Sequence, residues 1–507
     1  MSRSTSLNAT RRTTDLAELE ARPDVDLLVV GGGVTGAGVA LDAASRGLST
    51  VLVEREDLAF GTSRWSSKLV HGGLRYLAKG QVGIAYESAR ERDVLMRVTA
   101  PHLVRSLPMV IPVHWDTGLA RTFAVRAGMG GGDLLRMLSG TPSSVLPGPR
   151  MLNARQTRRL LPAVDPDGLL GGIVSFDGQL VDDARLVIAI ARTAAGEGAR
   201  VITRCSAESI TADGVLLRDE TDGRLVPVRP RAVVNATGVH ADDLDPRIRL
   251  SPSRGTHLVL DGAVMGGPRA ALTVPLPGSV SRFVFALPQT DGRIYAGLTD
   301  EPLEGPALRV PEVPDSDVDF LLAQFNRALS TKLTRDDVIG SFAGLRPLLH
   351  GDGSTAELSR EHLVSVAPNG SVTVVGGKLT TYRAMAEEAV DAAVAEHRLQ
   401  AGPCRTRELP LVGAASHEEL DDLDAPRHLV SRYGTEAPAV MAEAKDDPEL
   451  LVPVACGVTP AELRFGVRHE GAMDEADLLE RRTRIALVDT DRDRAEAAAK
   501  EALVSVG

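Results

Sequence analysis

The chain has 507 residues, a formal net charge of −11 and 43% hydrophobic residues, a composition typical of a folded protein with several domains. This acidic balance argues against a nucleic-acid partner, because such partners normally meet a basic face. The sequence has no run of roughly 18 apolar residues, the length that a membrane-spanning helix needs, so we expect a protein that does not span a membrane.

The first 23 residues are rich in Ser, Thr and charged side chains and lack the apolar core of a secretory signal. We therefore expect residues 1–23 to form a flexible tail. The three cysteines, Cys205, Cys404 and Cys456, lie far apart without the spacing of a metal or redox motif. We therefore expect reduced thiols, a cytoplasmic location and no metal site.

A glycine-rich turn follows the first predicted strand. The apolar run 27–30 predicts a buried parallel strand, and a helix is predicted over 34–46. Between them, Gly31 permits the tight turn, Gly33 lets the backbone approach a pyrophosphate, and Gly36 allows close packing of helix and strand. The helix N-terminus then directs a partial positive charge at the phosphates.

The second predicted strand, residues 50–53, ends in Glu54. Its carboxylate falls where an adenosine ribose presents its hydroxyl groups, and it would repel a 2′-phosphate. A lone glycine fingerprint is weak evidence, but here strand, turn, helix, strand and acid occur in the required order. The stretch 26–54 therefore predicts a dinucleotide-binding site.

The next loop, GTSRWSSKLVHGGLRYL at residues 61–77, supplies small hydroxyl groups and glycines that suit a long polar cofactor. The predicted cofactor contacts in this loop are Thr62, Ser63, Ser66, Ser67, Gly72 and Gly73. At these residues the chain resembles the FAD-dependent glycerol-3-phosphate dehydrogenases, the respiratory, quinone-linked branch of the D-amino-acid-oxidase-like flavoproteins. The string SSKLVHGGLRYL is close to a signature of that family.

Farther along, residues 81–97 predict an amphipathic scaffold helix, and residues 107–113 predict a strand that begins a substrate-side region. Residues 119–138 combine arginines with apolar side chains and fit either an ordinary surface helix or a stretch that lies on an anionic bilayer. VDDARLV at 181–187 predicts a helix capped by its two aspartates, and we assign it no catalytic role.

Two later segments resemble flavin-contacting segments of the family. VVNATGVH at 233–240 predicts a strand that enters Thr237 and Gly238, where the backbone can pass close to the cofactor. VVGGKLTTYR at 374–383 predicts a strand, a glycine pair and a helix whose N-terminus faces the flavin ring, where negative charge gathers on reduction. The predicted contacts in this second segment are Gly377, Leu379 and Thr380, with Thr380 or Thr381 capping the helix.

The segment 241–340 is rich in β-prone runs divided by Gly, Pro and Asp, which predicts a sheet roofing a substrate cavity. His257 lies on one of these strands. A lone histidine on a strand indicates a structural residue, whereas the resemblance puts His257 at a substrate-contact position. Lys378 is a compact, titratable cation in a chain that uses mostly arginine. It is either a functional group or a solvated loop lysine.

The chemistry implied by the resemblance needs arginines for a phosphate monoester and a base for the alcohol proton. The candidate catalytic residues are Arg346, Lys378 and His257. The candidate substrate-binding residues are Arg75, Tyr76 and Arg360. Lys378 or His257 could assist the proton transfer or stabilise the developing alkoxide, and the base itself stays unassigned.

We predict an α/β protein with a Rossmann-like FAD-binding domain, a β-rich substrate domain and a C-terminal helical domain. The expected FAD-binding domain is discontinuous (24–105, 165–240 and 341–400), and the expected substrate domain comprises 106–164 and 241–340. Residues 401–507 are expected to form the helical cap.

The resemblance implies a noncovalent FAD enzyme that oxidises sn-glycerol 3-phosphate to dihydroxyacetone phosphate by hydride transfer to flavin N5. Its implied partners are glycerol 3-phosphate and a quinone, with a membrane surface on the inner face of the cell membrane and a homodimer left open. Two alternatives remain at this stage: an oxidase that reduces dioxygen, and a catalytically silent FAD-binding sensor or assembly protein.

Overall fold

The computed structural model describes residues 4–73, 81–115, 130–211, 213–278, 282–303, 305, 307–350 and 362–506. The strands are, in chain order, β1 (Asp24–Val30), β2 (Thr50–Val53), β3 (Leu69–Val70), β4 (Val104–His114), β5 (Arg150–Asn153), β6 (Leu169–Leu180), β7 (Arg200–Ile202), β8 (Cys205–Thr211), β9 (Gly214–Asp219), β10 (Leu225–Asn235), β11 (Ser253–Asp261), β12 (Ala271–Pro275), β13 (Phe283–Pro288), β14 (Arg293–Gly297), β15 (Glu301–Pro302), β16 (Val338–Arg346), β17 (His362–Val366) and β18 (Val372–Gly376). The helices are α1 (Ala9–Ala21), α2 (Val34–Ser45), α3 (Val82–Val94), α4 (Ala154–Leu160), α5 (Asp183–Glu197), α6 (Ala241–Leu244), α7 (Asp315–Phe325), α8 (Tyr382–His397), α9 (His417–Asp421), α10 (Arg427–Tyr433), α11 (Ala437–Ala442), α12 (Pro460–His469) and α13 (Asp489–Val506).

The first sheet has the order β17-β18-β10-β1-β2-β7, and β9 and β8 extend it from β10. Strands β18, β10, β1, β2 and β7 run parallel. Leu27 and Val29 of β1 pack into a core shared with α2, α5 and α8, whereas Leu28 and Val30 face a second core formed with α1 and the β8–β9 pair. Burial on both faces explains why residues 27–30 form an uninterrupted apolar run.

The N-terminal segment differs from the flexible tail that the sequence predicted. Helix α1 is capped by Asn8, whose side chain accepts a hydrogen bond from the Arg11 amide. Its Leu16 and Leu19 are buried in the second core, and Arg12 forms a 2.6 Å ion pair with Asp219. The polar composition of the segment concealed two leucines that, with the Arg12–Asp219 ion pair, dock the helix.

The second sheet has the order β15-β11-β14-β13-β12-β4-β6-β3, with β16 paired to β11 and β5 paired to β6. In the β11–β16 ladder, His257 lies opposite Phe342 and Ser253 lies opposite Arg346. Strand β3 pairs with β6 and so leads the loop 61–68 from the first sheet to the second.

Two predicted boundaries cross strands of this second sheet. Residues 165–240 and 341–400 were assigned to the FAD-binding domain, but β6 and all of β16 hydrogen-bond within the second sheet. The apolar residues of a strand do not reveal which sheet it joins, since that choice depends on pairing with strands distant in sequence. The division of the chain into domains stays a prediction.

The C-terminal region contains α9 to α13 around two apolar clusters of its own. Buried ion pairs attach it to the rest of the chain: Arg481 and Arg482 contact the carboxylate of Asp57 at 2.6 and 2.8 Å, and Arg185 contacts Glu470 at 2.6 Å. The predicted fold class, with a parallel nucleotide-binding sheet, a β-rich part and C-terminal helices, is confirmed. Among the described residues, no helix is both long and apolar enough to cross a membrane.

Candidate functional site

The three glycines of the first turn have different surroundings. A Cβ on Gly31, whose φ is +109°, would lie 2.7 Å from the Ala236 carbonyl oxygen, and a Cβ on Gly36 would lie 1.9 Å from the Gly31 carbonyl oxygen. A Cβ on Gly33 would meet only the Ser63 hydroxyl, at 3.1 Å. Thus Gly31 and Gly36 are required by the protein's own packing, while Gly33 borders the space in which a pyrophosphate would approach.

The N-terminus of α2 adjoins this space. Its N-cap residue Gly33 makes no side-chain cap, and the Ser63 hydroxyl accepts a 2.9 Å hydrogen bond from the Val34 amide. The carboxylate of Glu54, at the end of β2, accepts hydrogen bonds from the amides of Gly32 at 2.6 Å and Glu56 at 2.9 Å. Burial raises the pKa of the Glu54 carboxyl. These residues are compatible with the phosphates and ribose of FAD, and their contacts with the cofactor stay predictions.

The second predicted cofactor segment meets the first. Asn235, at the end of β10, accepts hydrogen bonds from the amide and the hydroxyl of Thr237, at 3.2 and 2.7 Å. The next residue, Gly238, has a φ of +64° and no atom within 4 Å of an added Cβ. Ala236 packs against Gly31, so both turns lie at the same edge of the parallel sheet.

The loop 61–68 is held at several points by the protein itself. Thr62 donates to the Leu345 carbonyl at 2.7 Å, and the amide and hydroxyl of Ser66 donate to Asp183 at 2.9 and 2.7 Å. These hydroxyls therefore fix the loop, and a cofactor contact from them stays a prediction. Asp182 caps α5 by accepting from the Arg185 amide, as predicted.

Lys68 is a functional candidate that the sequence reasoning missed. Its ammonium group is fully buried and donates to the carbonyls of Arg64 and Ser66, at 2.9 and 3.2 Å, and to Asp183 at 2.9 Å. Burial and the nearby charge of Arg484 lower the pKa of Lys68 to about 8. It is one of six lysines in the chain, so the rarity that drew attention to Lys378 applied to Lys68 too.

His257 is buried beneath the loop. Its Nε2 lies 2.9 Å from the Ser67 hydroxyl, and its ring stacks on Phe342 at a centroid distance of 4.8 Å. Burial, with the charges of Lys68 and Arg346, lowers the pKa of His257 well below its ordinary value, so the ring is neutral at pH 7. Its Nδ1 has no hydrogen-bond partner among the residues that the structure describes.

Arg346 ends β16 and lies along β11. Its guanidinium donates to the hydroxyl of Ser253 at 3.0 Å, to Asp300 at 3.2 Å and to the Thr299 carbonyl at 3.1 Å. A Cβ on Gly255 would lie 2.1 Å from an Arg346 nitrogen. The glycine therefore makes room for the side chain, and Asp300 holds the guanidinium in one direction.

Lys378 follows a glycine pair with positive φ, and its ammonium donates to the Ser88 hydroxyl of α3 at 2.9 Å. A Cβ on Gly377 would lie 2.4 Å from the Met385 sulfur, so this glycine is needed where α8 returns to the sheet. A threonine was expected to cap α8. Thr381 occupies the N-cap position, but no side-chain cap forms, because its hydroxyl donates to the Lys378 carbonyl at 3.3 Å.

Leu379 and Thr380 form a 3-10 turn between Lys378 and α8, with Thr380 buried. The turn keeps the start of α8 next to the glycine pair. Their contacts with the cofactor stay predictions.

Gly72 and Gly73 are required by neighbouring side chains. A Cβ on Gly72 would lie 2.0 Å from the guanidinium of Arg92, and one on Gly73, at φ +82°, would lie 2.8 Å from Ala85. The Gly72 amide donates to Asp177 at 3.1 Å. Arg75, Tyr76 and Arg360 lie outside the described residues, so their predicted contacts are untested.

His71 was also missed by the sequence reasoning. Its Nδ1 lies 3.3 Å from the carboxylate of Asp177, which pairs with Arg92 at 2.7 Å, and 44% of its side chain is exposed. Burial disfavours the charge on Asp177, but Arg92 and His71 outweigh it and lower the pKa of Asp177 to about 2. A histidine oriented by an ionised carboxylate is a common arrangement of a general base, and no local sequence signal could show it, because Asp177 is 106 residues away.

Comparisons with known proteins agree with this geometry. The model of the FAD-dependent oxidoreductase family matches residues 26–392, and the model of the C-terminal domain of alpha-glycerophosphate oxidase matches residues 404–505. The chain is 50% identical to glycerol-3-phosphate dehydrogenase 1 of Mycobacterium bovis, covering 99% of both chains, and 38% identical to glycerol-3-phosphate dehydrogenase of Mycobacterium leprae, covering 91% of this chain and 81% of the relative. Among solved structures, it is similar to the glycerol-3-phosphate dehydrogenase from Bacillus halodurans complexed with FAD, with a TM-score of 0.76, 29% identity and coverage of 99% and 94%.

The glycine turn yields a paired test. Gly33→Ala should leave the thermal melting temperature nearly unchanged but weaken FAD binding at least about tenfold, because the methyl group meets only the Ser63 hydroxyl, at 3.1 Å, and otherwise enters the space expected for the cofactor. Gly36→Ala should instead destabilise the apoprotein, since its methyl group would overlap the Gly31 carbonyl. Melting curves and FAD titration of both variants check this; equal FAD affinity in Gly33→Ala and the wild type would contradict the assignment.

Proposed function

Because the chain belongs to the glycerol-3-phosphate dehydrogenase family of FAD-dependent oxidoreductases, we propose that it oxidises sn-glycerol 3-phosphate to dihydroxyacetone phosphate and passes the electrons to a quinone. The observation that carries the proposal is the similarity over 99% of both chains to a protein of that name. FAD, when bound, supplies flavin N5 as the hydride acceptor. The remaining work of substrate binding, orientation and proton removal falls to side chains of this protein.

Binding of the substrate phosphate is the role we propose for Arg346. A phosphate monoester is bound best by the planar guanidinium fork, and Asp300 and the Thr299 carbonyl hold this one in a fixed direction. Its side chain is 17% exposed. Arg75, Tyr76 and Arg360 are proposed to complete the phosphate site.

Removal of the hydroxyl proton is the role we propose for His71. It is exposed enough to reach a substrate and has a carboxylate, Asp177, to orient Nδ1 and stabilise the imidazolium that forms. His257 is a weaker candidate, because it is buried and bonded to Ser67. Lys378, whose ammonium donates to the Ser88 hydroxyl at 2.9 Å, is proposed to stabilise the developing alkoxide.

The reaction itself has a direct test. Under anaerobic conditions, glycerol 3-phosphate should bleach the visible absorbance of the purified flavoprotein, while glycerol at the same concentration should not, because it lacks the phosphate. Flavin that stays oxidised with glycerol 3-phosphate would contradict the proposal.

The electron acceptor is decided in the same preparation. After bleaching, a soluble quinone should restore the oxidised spectrum much faster than air does, with little peroxide released. Rapid peroxide formation in air without a quinone would identify an oxidase instead.

The roles proposed for Arg346 and His71 predict changes in different kinetic quantities. Arg346→Ala should raise the glycerol 3-phosphate concentration for half-maximal flavin reduction about 10- to 100-fold, as expected for losing a charge-assisted hydrogen bond of about 1.5–3 kcal/mol. His71→Asn should instead lower the limiting reduction rate about 10²- to 10⁴-fold at similar substrate affinity. Stopped-flow reduction of both flavin-loaded variants separates these effects; the reverse pattern would contradict the assignment.

A membrane surface is the further partner that we propose, so that the enzyme can meet a lipid-soluble quinone. Residues 134–164 contain five arginines and no Asp or Glu, in a chain with a net charge of −11. Four of these arginines are exposed and form no ion pair with a described residue, namely Arg150, Arg155, Arg158 and Arg159. Exposed apolar side chains lie in the same stretch, namely Leu134, Met137, Leu138 and Met151.

This combination matches an anionic bilayer. Apolar side chains enter the interfacial region, and unpaired arginines bind lipid phosphates. Leu135, between the exposed residues, packs on Ala85 and Ala89 of α3 and so anchors the helix at 130–138 to the enzyme body.

Vesicle flotation tests the surface. The flavoprotein should float with vesicles containing phosphatidylglycerol but not with neutral vesicles, and Arg158→Glu with Arg159→Glu should abolish flotation while anaerobic flavin reduction is kept. The control, with the same change of charge, is Arg22→Glu with Lys445→Glu, two exposed cations outside the stretch. Equal flotation of both double variants would refute this surface.

A further inference from the structure

Arg484 is a buried cation of the C-terminal region that the reaction scheme does not use. It follows a π-helical turn, Asp477–Arg482, and only 4% of the residue is exposed. Its Nη1 donates to the Glu480 carbonyl at 3.2 Å, and its Nε lies 3.5 Å from the carboxylate of Asp182. Nε and Nη2 have no hydrogen-bond partner in the described part of the chain.

Such a guanidinium contributes little to stability. Removing a cation from water is unfavourable unless hydrogen bonds and an ion pair compensate, and apolar replacement of buried ion pairs is often neutral or stabilising. Arg484 has one hydrogen bond and one loose ionic contact within the described residues. The role of Arg484 is therefore inferred from the residues around it.

Those neighbours belong to the cofactor loop. The guanidinium carbon of Arg484 lies 5.0 Å from the ring centroid of Trp65, which stands in the loop 61–68. The guanidinium of Arg64 lies over the same ring at 4.2 Å and is anchored to the Glu480 carboxylate at 2.6 Å. Trp65 thus contacts two cations, both of which are attached to Glu480, one through its carboxylate and one through its carbonyl.

From Trp65 a continuous stack leads to the candidate site. Trp65 stacks on Phe342 at 5.7 Å, Phe342 stacks on His257 at 4.8 Å, and His257 bonds the Ser67 hydroxyl. Two residues of one loop, Trp65 and Ser67, are therefore joined through side chains of the second sheet. Any displacement of the Trp65 ring would shift Phe342 and His257, because interiors are close-packed.

We propose that Arg484 is a positioning residue for the cofactor loop. By fixing the Trp65 ring, it keeps Ser67 and His257 together beside the FAD site, so that the C-terminal region sets the affinity for FAD. The proposal rests on FAD binding and is independent of which substrate is oxidised, so the two can fail separately.

The chain supplies its own probe. Its two tryptophans are Trp65 and the exposed Trp115, so Trp115→Phe leaves Trp65 as the sole indole, whose emission FAD should quench. In that background, Arg484→Met is combined with Asp182→Asn, which removes the carboxylate that would otherwise be left without its cation; asparagine is also a good helix N-cap. Asp182→Asn alone and Arg492→Met are the controls, since Arg492 bonds Glu480 from a half-exposed position.

The combined variant should melt within about 2 °C of the wild type or higher, yet bind FAD at least tenfold more weakly, with Trp65 emission shifted to the red. Both controls should bind FAD with wild-type affinity. Arg484→Lys, which keeps a cation at this position, should recover part of the FAD affinity that is lost in the combined variant. Unchanged FAD affinity and Trp65 emission in the combined variant would overturn the proposal. The proposal would also be overturned if the combined variant melted more than about 5 °C below the wild type but kept its FAD affinity, because that result indicates a purely structural role.

Discussion

The carboxylate of Asp183 determines where the loop of residues 61–68 lies. One of its oxygens accepts hydrogen bonds from the Ser66 amide, the Ser66 hydroxyl and the Lys68 ammonium, at 2.9, 2.7 and 2.9 Å. Asp183 belongs to the first turn of α5, which packs on the parallel sheet. A helix on one sheet thereby fixes the loop that leads to the other sheet, and charge-assisted hydrogen bonds of this kind are the strong ones.

Three parts of the candidate site contact that fixed loop. Ser63 reaches the start of α2, Thr62 reaches the carbonyl before Arg346, and Ser67 reaches His257. Each contact joins a different part of the fold, so the loop coordinates the glycine turn with the second sheet. The C-terminal helices add a further support through Arg64 and Glu480.

Local features of the sequence predicted the parts that depend on local chemistry. The strand at 50–53, the glycine turn and the capping of α5 by Asp182 follow from periodicity, backbone sterics and hydrogen-bonding capacity within a few residues. The docking of α1 and the sheet joined by β6 were missed. Both are decided by contacts more than 50 residues away in sequence, between Arg12 and Asp219 and between β6 and β4.

The same distinction applies to the site. The motifs indicated His257 and Arg346, but whether a histidine is buried and neutral or exposed beside a carboxylate depends on long-range packing. The sequence therefore could not separate His257 from His71, or identify Lys68 as a buried ion-pair partner of Asp183. It also could not reveal Arg484, since the Trp65 ring it contacts is over 400 residues away.

Removal of a hydride from C2 of glycerol 3-phosphate is the step that we propose for this protein. Flavin reduction by substrate deuterated at C2 measures this most directly, in anaerobic stopped flow with the protein saturated. A primary isotope effect on the limiting reduction rate is expected, about two- to sevenfold for breaking the C2–H bond. Equal reduction rates with both isotopologues, in conditions where bond breaking is the observed step, would contradict it.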